Sequence, residues 1–184
     1  YSKYPHYKNS YETGVIWNNR AAAYLTMAIY KDSLPDLGGS VALKSLTRDS
    51  LLSLSEYSSL KSIDIYQSWD SIFQNKDDKS TKELIRPKFI TGLKDYTTED
   101  QEKFLEFRLK ELDEAKLETK RRLSVAYTNL GMVFRQRSEY DTAAKYYTRA
   151  LELWEDNLSA ENNLNRLLGK PLRKRSIIQK LFPR

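Results

Sequence analysis

The sequence predicts an all-α fold, and three observations carry the prediction. Apolar residues recur at steps of three and four over several stretches, the spacing that lines one side of a helix. Proline and glycine gather between those stretches, at Pro35, Gly38 and Gly39, at Pro87 and Gly92, and at Gly169 and Pro171, where they stop helices. Thr98 followed by Gln101 forms a capping-box pattern that opens the longest of the stretches.

Residues 1–14 hold four tyrosines, Pro5 and Gly14 without hydrophobic periodicity, so they read as an extended lead-in. An N-terminal helical region is expected over 15–74. Its first helix runs from Val15 to Lys31 and carries Ile16, Trp17, Ala21, Tyr24, Leu25, Ala28 and Ile29 on one side. After the break at 32–40, the stretch Val41–Phe73 splits at the cap-like Thr-Arg-Asp-Ser of 47–50. A short helix and then a longer one follow, the second with Leu51, Leu54, Tyr57, Leu60, Ile65, Trp69 and Phe73. Its many serines weaken it as a helix, because serine competes with the backbone for hydrogen bonds.

Residues 75–97 are charged, carry Pro87 and Gly92, and read as a linker with an apolar clip at Phe89 and Ile90. From Thr98 a long helix is expected, with Leu105, Leu109 and Leu112 in register. Glu106 before Lys110 and Glu118 before Arg122 are acid-before-base pairs four apart, the favourable order on a solvated helix face. The region 98–169 closes at Gly169, leaving 170–184 as a basic amphipathic tail.

Composition excludes several kinds of chemistry. The 184 residues are 40% hydrophobic and 30% charged, and no apolar run approaches the roughly 20 residues of a membrane helix. There is no cysteine, which removes disulfides, thiol nucleophiles and thiolate metal sites. The single histidine, His6, lies in the Tyr-rich leader with no second histidine beside it and reads as an exposed tail residue; no metal or other cofactor is expected. Phosphate-loop, dinucleotide and serine-elbow motifs are missing. The carboxylates alternate with Lys and Arg on helix faces, so no enzyme activity is expected. Opening on Tyr1 predicts that a segment preceded the chain. The compartment stays undecided, with the bacterial cell envelope or periplasm the setting that the Tyr- and Asn-rich leader points to.

From Ser124 the chain reads Ser-Val-Ala-Tyr-Thr-Asn-Leu-Gly-Met-Val-Phe, followed by Tyr140, Ala143, Tyr147, Ala150 and Leu151. This resembles the tetratricopeptide repeat, a 34-residue helix-turn-helix unit. Tyr127, Leu130, Gly131 and Phe134 fill the first helix of the pattern, and Tyr140, Ala143, Tyr147 and Ala150 the second. Gly131 and Ala143 are small where two helices cross closely. Glu155 departs from the proline usual between units, and the turn is expected at Asp156 and Asn157. Ala160, Asn163 and Leu164 repeat Ala126, Asn129 and Leu130 at 34 residues, so 158–168 reads as a lone helix capping the stack. Trp17-Asn18-Asn19-Arg20-Ala21-Ala22-Ala23-Tyr24 is similar to the first helix of another unit, whose second helix departs at Pro35 and Gly38-Gly39. Ala21 and Gly131 are 110 residues apart, which is not a multiple of 34, so the middle segment interrupts any array. The expected architecture is thus all-α, with tetratricopeptide-like hairpins, a long connecting helix and a capping C-terminal helix.

The resemblance implies a non-enzymatic adaptor or scaffold subunit, part of a larger complex, binding a peptide or helix of another protein in a groove lined by first helices. The matching groove positions are Val125, Thr128, Asn129, Met132, Arg135 and Gln136, with Asn18, Asn19 and Ala22 from the earlier unit. The plain alternative is that these residues pack on a neighbouring helix of the same chain. A subfamily that grips the carboxylate of chaperone tails is excluded, because Val125 and Asn129 stand where basic residues are needed. The other reading rests on charge. Residues 162–184 hold seven basic residues and no acid, so they contribute +7 to the net +6 and the remainder carries −1. Arg173, Lys174, Arg175 and Lys180 with Ile177, Ile178, Leu181 and Phe182 make a segment suited to docking on an acidic protein surface, in this chain or another, or on an anionic membrane. Nucleic acid is the weakest candidate, since no binding fold accompanies the tail.

Overall fold

In a computed structural model the described residues are 10–31 and 45–174. Six helices run through them: α1 (Tyr11–Tyr30), α2 (Arg48–Phe73), α3 (Asp78–Thr91), α4 (Thr98–Gln136), α5 (Tyr140–Leu153) and α6 (Leu158–Leu167). None is long and apolar enough to cross a membrane.

α1 starts four residues before the expected Val15. Ser10 is its N-cap, with its hydroxyl accepting from the Thr13 amide at 3.4 Å, and Tyr11 packs its ring against Tyr66 and Trp69 at 5.3 Å each. Gly14 therefore belongs to a helix and not to the lead-in. Its backbone lies so close to α2 that an added Cβ would stand 2.8 Å from Tyr66 Cε1.

α2 begins where the Thr-Arg-Asp-Ser break suggests, with Thr47 as N-cap accepting from the Ser50 amide at 3.1 Å. The serines, read as a weakness, form its contact face: Ser55, Ser58, Ser59 and Ser62 are buried. Ser62 Oγ donates to Gly14 O at 2.9 Å and Ser55 Oγ to Ala21 O at 2.8 Å. Seven residues forward on α1 match seven residues back on α2, so the two are antiparallel. Tyr57 and Leu60, expected on the apolar side, are about half exposed, because the helix turns its small residues inward.

The stretch expected as a linker contains α3. Asp77 caps it by accepting from the Ser80 amide at 2.8 Å, and the helix runs through Pro87 to Thr91 before Gly92 ends it. Proline there forfeits one backbone bond near the end of a short helix. Ion pairs to α4 tie it down: Lys82 to Glu106 at 2.5 Å, and Arg86 to Glu102. Glu106 thus reaches across to another helix, whereas Glu118 does pair within its own helix, with Arg121 and Arg122.

α4 is one continuous helix of 39 residues, so the long helix and the first helix of the repeat are the same element. Its N-cap is Thr97, not Thr98; Gln101 instead holds the preceding turn by donating to Leu93 O and Tyr96 O at 2.9 and 3.0 Å. Ser138 closes it in the left-handed region at φ 65°, with Glu139 N donating to Phe134 O at 3.0 Å, the termination that glycine usually provides. Gly169 at φ 65° does the same for α6, with Lys170 N donating to Asn165 O at 2.8 Å.

The helices stack in the order α1, α2, α4, α5, α6, each packed on the next. One cluster joins Leu25 and Ala28 of α1, Leu51 and Leu52 of α2 and Val133 of α4. Another joins Ile63 and Tyr66 of α2 to Leu123, Ala126 and Leu130 of α4, with Tyr146 and Leu153 of α5 against it. Arg108 of α4 donates to Glu12 of α1 at 2.7 Å. Burial, the largest single influence, pushes the Glu12 carboxyl up, but the bond and charge of Arg108 together with hydrogen bonds from its own amide and from Ser10 outweigh it and leave the group below the usual range.

Candidate functional site

The hairpin of α4 and α5 is built on one close crossing. Gly131 faces Tyr147 so tightly that a Cβ would meet its Cε1 at 2.6 Å and Ala143 O at 3.2 Å. Ala143, Tyr147 and Ala150 are fully buried, and Ser124 Oγ donates to Ala150 O at 2.6 Å. Burial pushes the Tyr147 phenol up to about 12. Tyr140, the remaining matched position of the second helix, is the first residue of α5 and is 55% exposed. The turn falls at Glu155 and Asp156, one residue earlier than the expected Asp156 and Asn157, because Asn157 is already the N-cap of α6. Asn157 caps α6 by accepting from the Ala160 amide at 3.1 Å and sends its amide to Ser124 Oγ and Thr128 Oγ1 at 2.8 and 2.9 Å.

Beside this hairpin, α1, the C-terminal half of α4 and α6 are joined in sequence by side-chain bonds. Asn129 Nδ2 donates to Asn18 Oδ1 at 3.1 Å between α1 and α4, and Arg135 Nη1 to Asn163 Oδ1 at 3.2 Å between α4 and α6. These bonds correct part of the expected groove. Asn18, Thr128 and Asn129 are buried and use their polar atoms inside the chain, so they position the surface and do not face a partner. Met132 is half-buried against the α1, α2 and Val133 cluster. Gln136 accepts from Arg48 at 2.6 Å. Asn19 is exposed, and Ala22, Val125 and Arg135 are half-buried.

Of the tail, Arg173 and Lys174 are described; Arg175, Ile177, Ile178, Lys180, Leu181 and Phe182 lie outside the described residues, as does His6. Arg173 docks on this chain, with its guanidinium on Glu161 at 2.7 Å and Asp156 at 3.7 Å. Three asparagines organise this end; Asn157 is expected from the sequence only as a turn residue, and Asn162 and Asn165 are not expected as contact residues at all. Their clustering in 157–165 was the available signal.

Among the described residues no group of three or more His, Cys, Asp or Glu could hold a metal ion. A cleft of about 170 Å³ between α1 and α4 is lined by Tyr11, Glu12, Glu111, Glu114, Glu118 and Arg122, among others, and is mainly acidic.

Antiparallel helix pairs stacked side by side define a helical-repeat protein. The tetratricopeptide repeat family model matches residues 124–157, which cover the end of α4, all of α5 and the turn into α6, so the chain contains a tetratricopeptide repeat. Comparison with curated proteins and with solved structures finds no match. The α1 and α2 pair occupies the preceding place in the stack. Its helices are separated by residues 31–47, and the second helix of the compact 34-residue unit that the resemblance implies would fall largely in 32–44, outside the described residues.

Proposed function

We propose that this chain is a non-enzymatic adaptor that holds a segment of another protein on the face shared by α1, α4 and α6. The coarser statement, a repeat that serves protein–protein interaction, comes with the family match. The observation that supports the finer one is the pair of bonds Asn18–Asn129 and Arg135–Asn163. They hold α1, α4 and α6 side by side. Asn19, Ala22, Val125, Met132, Arg135 and Gln136 supply that surface. Its mix of amide, guanidinium and apolar groups suits a peptide or helix that makes both polar and apolar contacts.

The test is affinity capture from the native source, read by mass spectrometry, with the wild-type chain and the variant Asn19→Glu, Val125→Asp, Arg135→Glu. Proteins enriched on the wild type and lost from the variant, with helix content unchanged by circular dichroism, are the expected outcome. An identical set of captured proteins would contradict the placement of the site.

A further inference from the structure

The C-terminal segment after α6 is bound as a peptide ligand would be. Residues 170–174 have no secondary structure, so their backbone groups need partners from elsewhere. Asn162 supplies two: its Oδ1 accepts from the Arg173 amide at 2.7 Å and its Nδ2 donates to Arg173 O at 2.9 Å. One side chain thereby engages both polar groups of one residue, as a neighbouring strand would. Asn165 Nδ2 donates to Pro171 O at 3.2 Å, and proline pre-sets the extended backbone. The side chain is read separately, by Glu161 at 2.7 Å and Asp156 at 3.7 Å on the Arg173 guanidinium.

The place is specific. Glu161 and Asn165 lie 34 residues beyond Tyr127 and Gly131. α4 meets α5 at Gly131, and the ring of Tyr127 stacks on that of Tyr146 in α5 at 6.2 Å. In α6 no helix takes the part of α5 among the described residues, and the extended segment crosses there instead. Backbone recognition by Asn162 and charge recognition by Glu161 and Asp156 together make a receptor for an extended, arginine-bearing segment.

We infer that the outer side of α6 is a binding site for an extended peptide of Pro-x-Arg type, and that residues 171–174 of this chain are its resident occupant. The site uses Asn162, Asn165, Glu161 and Asp156, none of which belongs to the α1, α4 and α6 face proposed above, so it stands or fails independently of that reading. A short tether gives the resident segment an effective concentration in the millimolar range. A free peptide of the same sequence therefore competes poorly until the tail is released.

The experiment uses the full chain and a fluorescent peptide of residues 169–175, followed by polarisation. Arg173→Glu sets a carboxylate against Glu161 and leaves the receptor intact. It should bind the peptide at least about tenfold more tightly than wild type, the gain from removing a tethered competitor. Adding Asn162→Ala, or separately Glu161→Gln, to that variant should remove the gain, with unchanged circular dichroism. A scrambled peptide of equal charge should bind Arg173→Glu weakly. Equal binding by wild type and Arg173→Glu, binding indifferent to Asn162→Ala and Glu161→Gln, or equal binding of the scrambled peptide would each overturn the proposal.

Discussion

The crossing of α1 with α2 and that of α4 with α5 solve one problem with different residues. Each brings two antiparallel helices together at a glycine facing a fully buried tyrosine, Gly14 with Tyr66 and Gly131 with Tyr147. Each also has serine hydroxyls donating across to a backbone carbonyl. At α4 and α5 the rest of the contact is alanine and aromatic, which is the family pattern. At α1 and α2 it is serine, four of them buried on α2. Close approach needs a small side chain more than a particular one. Ser55 and Ser62 place their hydroxyls on α1 carbonyls and Ser58 on its own helix at Leu54 O, which spares them the cost of an unpaired buried hydroxyl, whereas the buried Ser59 hydroxyl has no hydrogen-bond partner among the described residues.

The largest effects should come from filling the crossings. Gly131→Leu is expected to cost about 1–3 kcal/mol by overpacking, because its Cβ would meet both the Tyr147 ring and the Ala143 carbonyl oxygen. Gly14→Leu should cost less, since Tyr66 ring atoms are what its Cβ would meet. Thermal unfolding reads the difference, at about 2–4 °C per kcal/mol for a chain of this size. Equal and negligible shifts would break the comparison. Smaller effects should come from the serines. Ser55→Ala and Ser62→Ala should each cost at most about 0.5–1.5 kcal/mol, while the exposed Ser68→Ala stays near zero. Urea unfolding distinguishes them, and no difference between buried and exposed positions would remove the hydroxyl bonds from the account.

The two crossings also show why only part of the molecule was legible in the sequence. Residues 124–168 were readable because Tyr127, Leu130, Gly131, Phe134, Ala143, Tyr147 and Ala150 carry the expected letters at the expected offsets. α2 kept the same geometry with serines, which local propensity counts against a helix. Its partners Gly14 and Ala21 lie 48 and 34 residues away from Ser62 and Ser55, too far for periodicity to pair them. α3 was hidden by Pro87, whose effect on propensity was outweighed by the Asp77 cap and by ion pairs to a helix further along the chain. Of the groove positions read from the repeat pattern, Asn18, Thr128 and Asn129 are buried. That Asn18, Thr128 and Asn129 face inward depends on Asn157 and on the approach of α1, contacts between residues 29 and 111 positions apart.

α1 and α2 belong to the same stack as the matched repeat and are not a separate appendage. Leu25 and Leu52 share a cluster with Val133, and Tyr66 shares one with Leu130, so the two hairpins should open together. Native-state hydrogen exchange in rising denaturant measures this directly, comparing the amides of Leu25 and Leu52 with those of Leu130 and Tyr147. Convergence of all four on one unfolding free energy and one denaturant slope is the predicted result; exchange of Leu25 and Leu52 through an opening of lower free energy and smaller slope would contradict it.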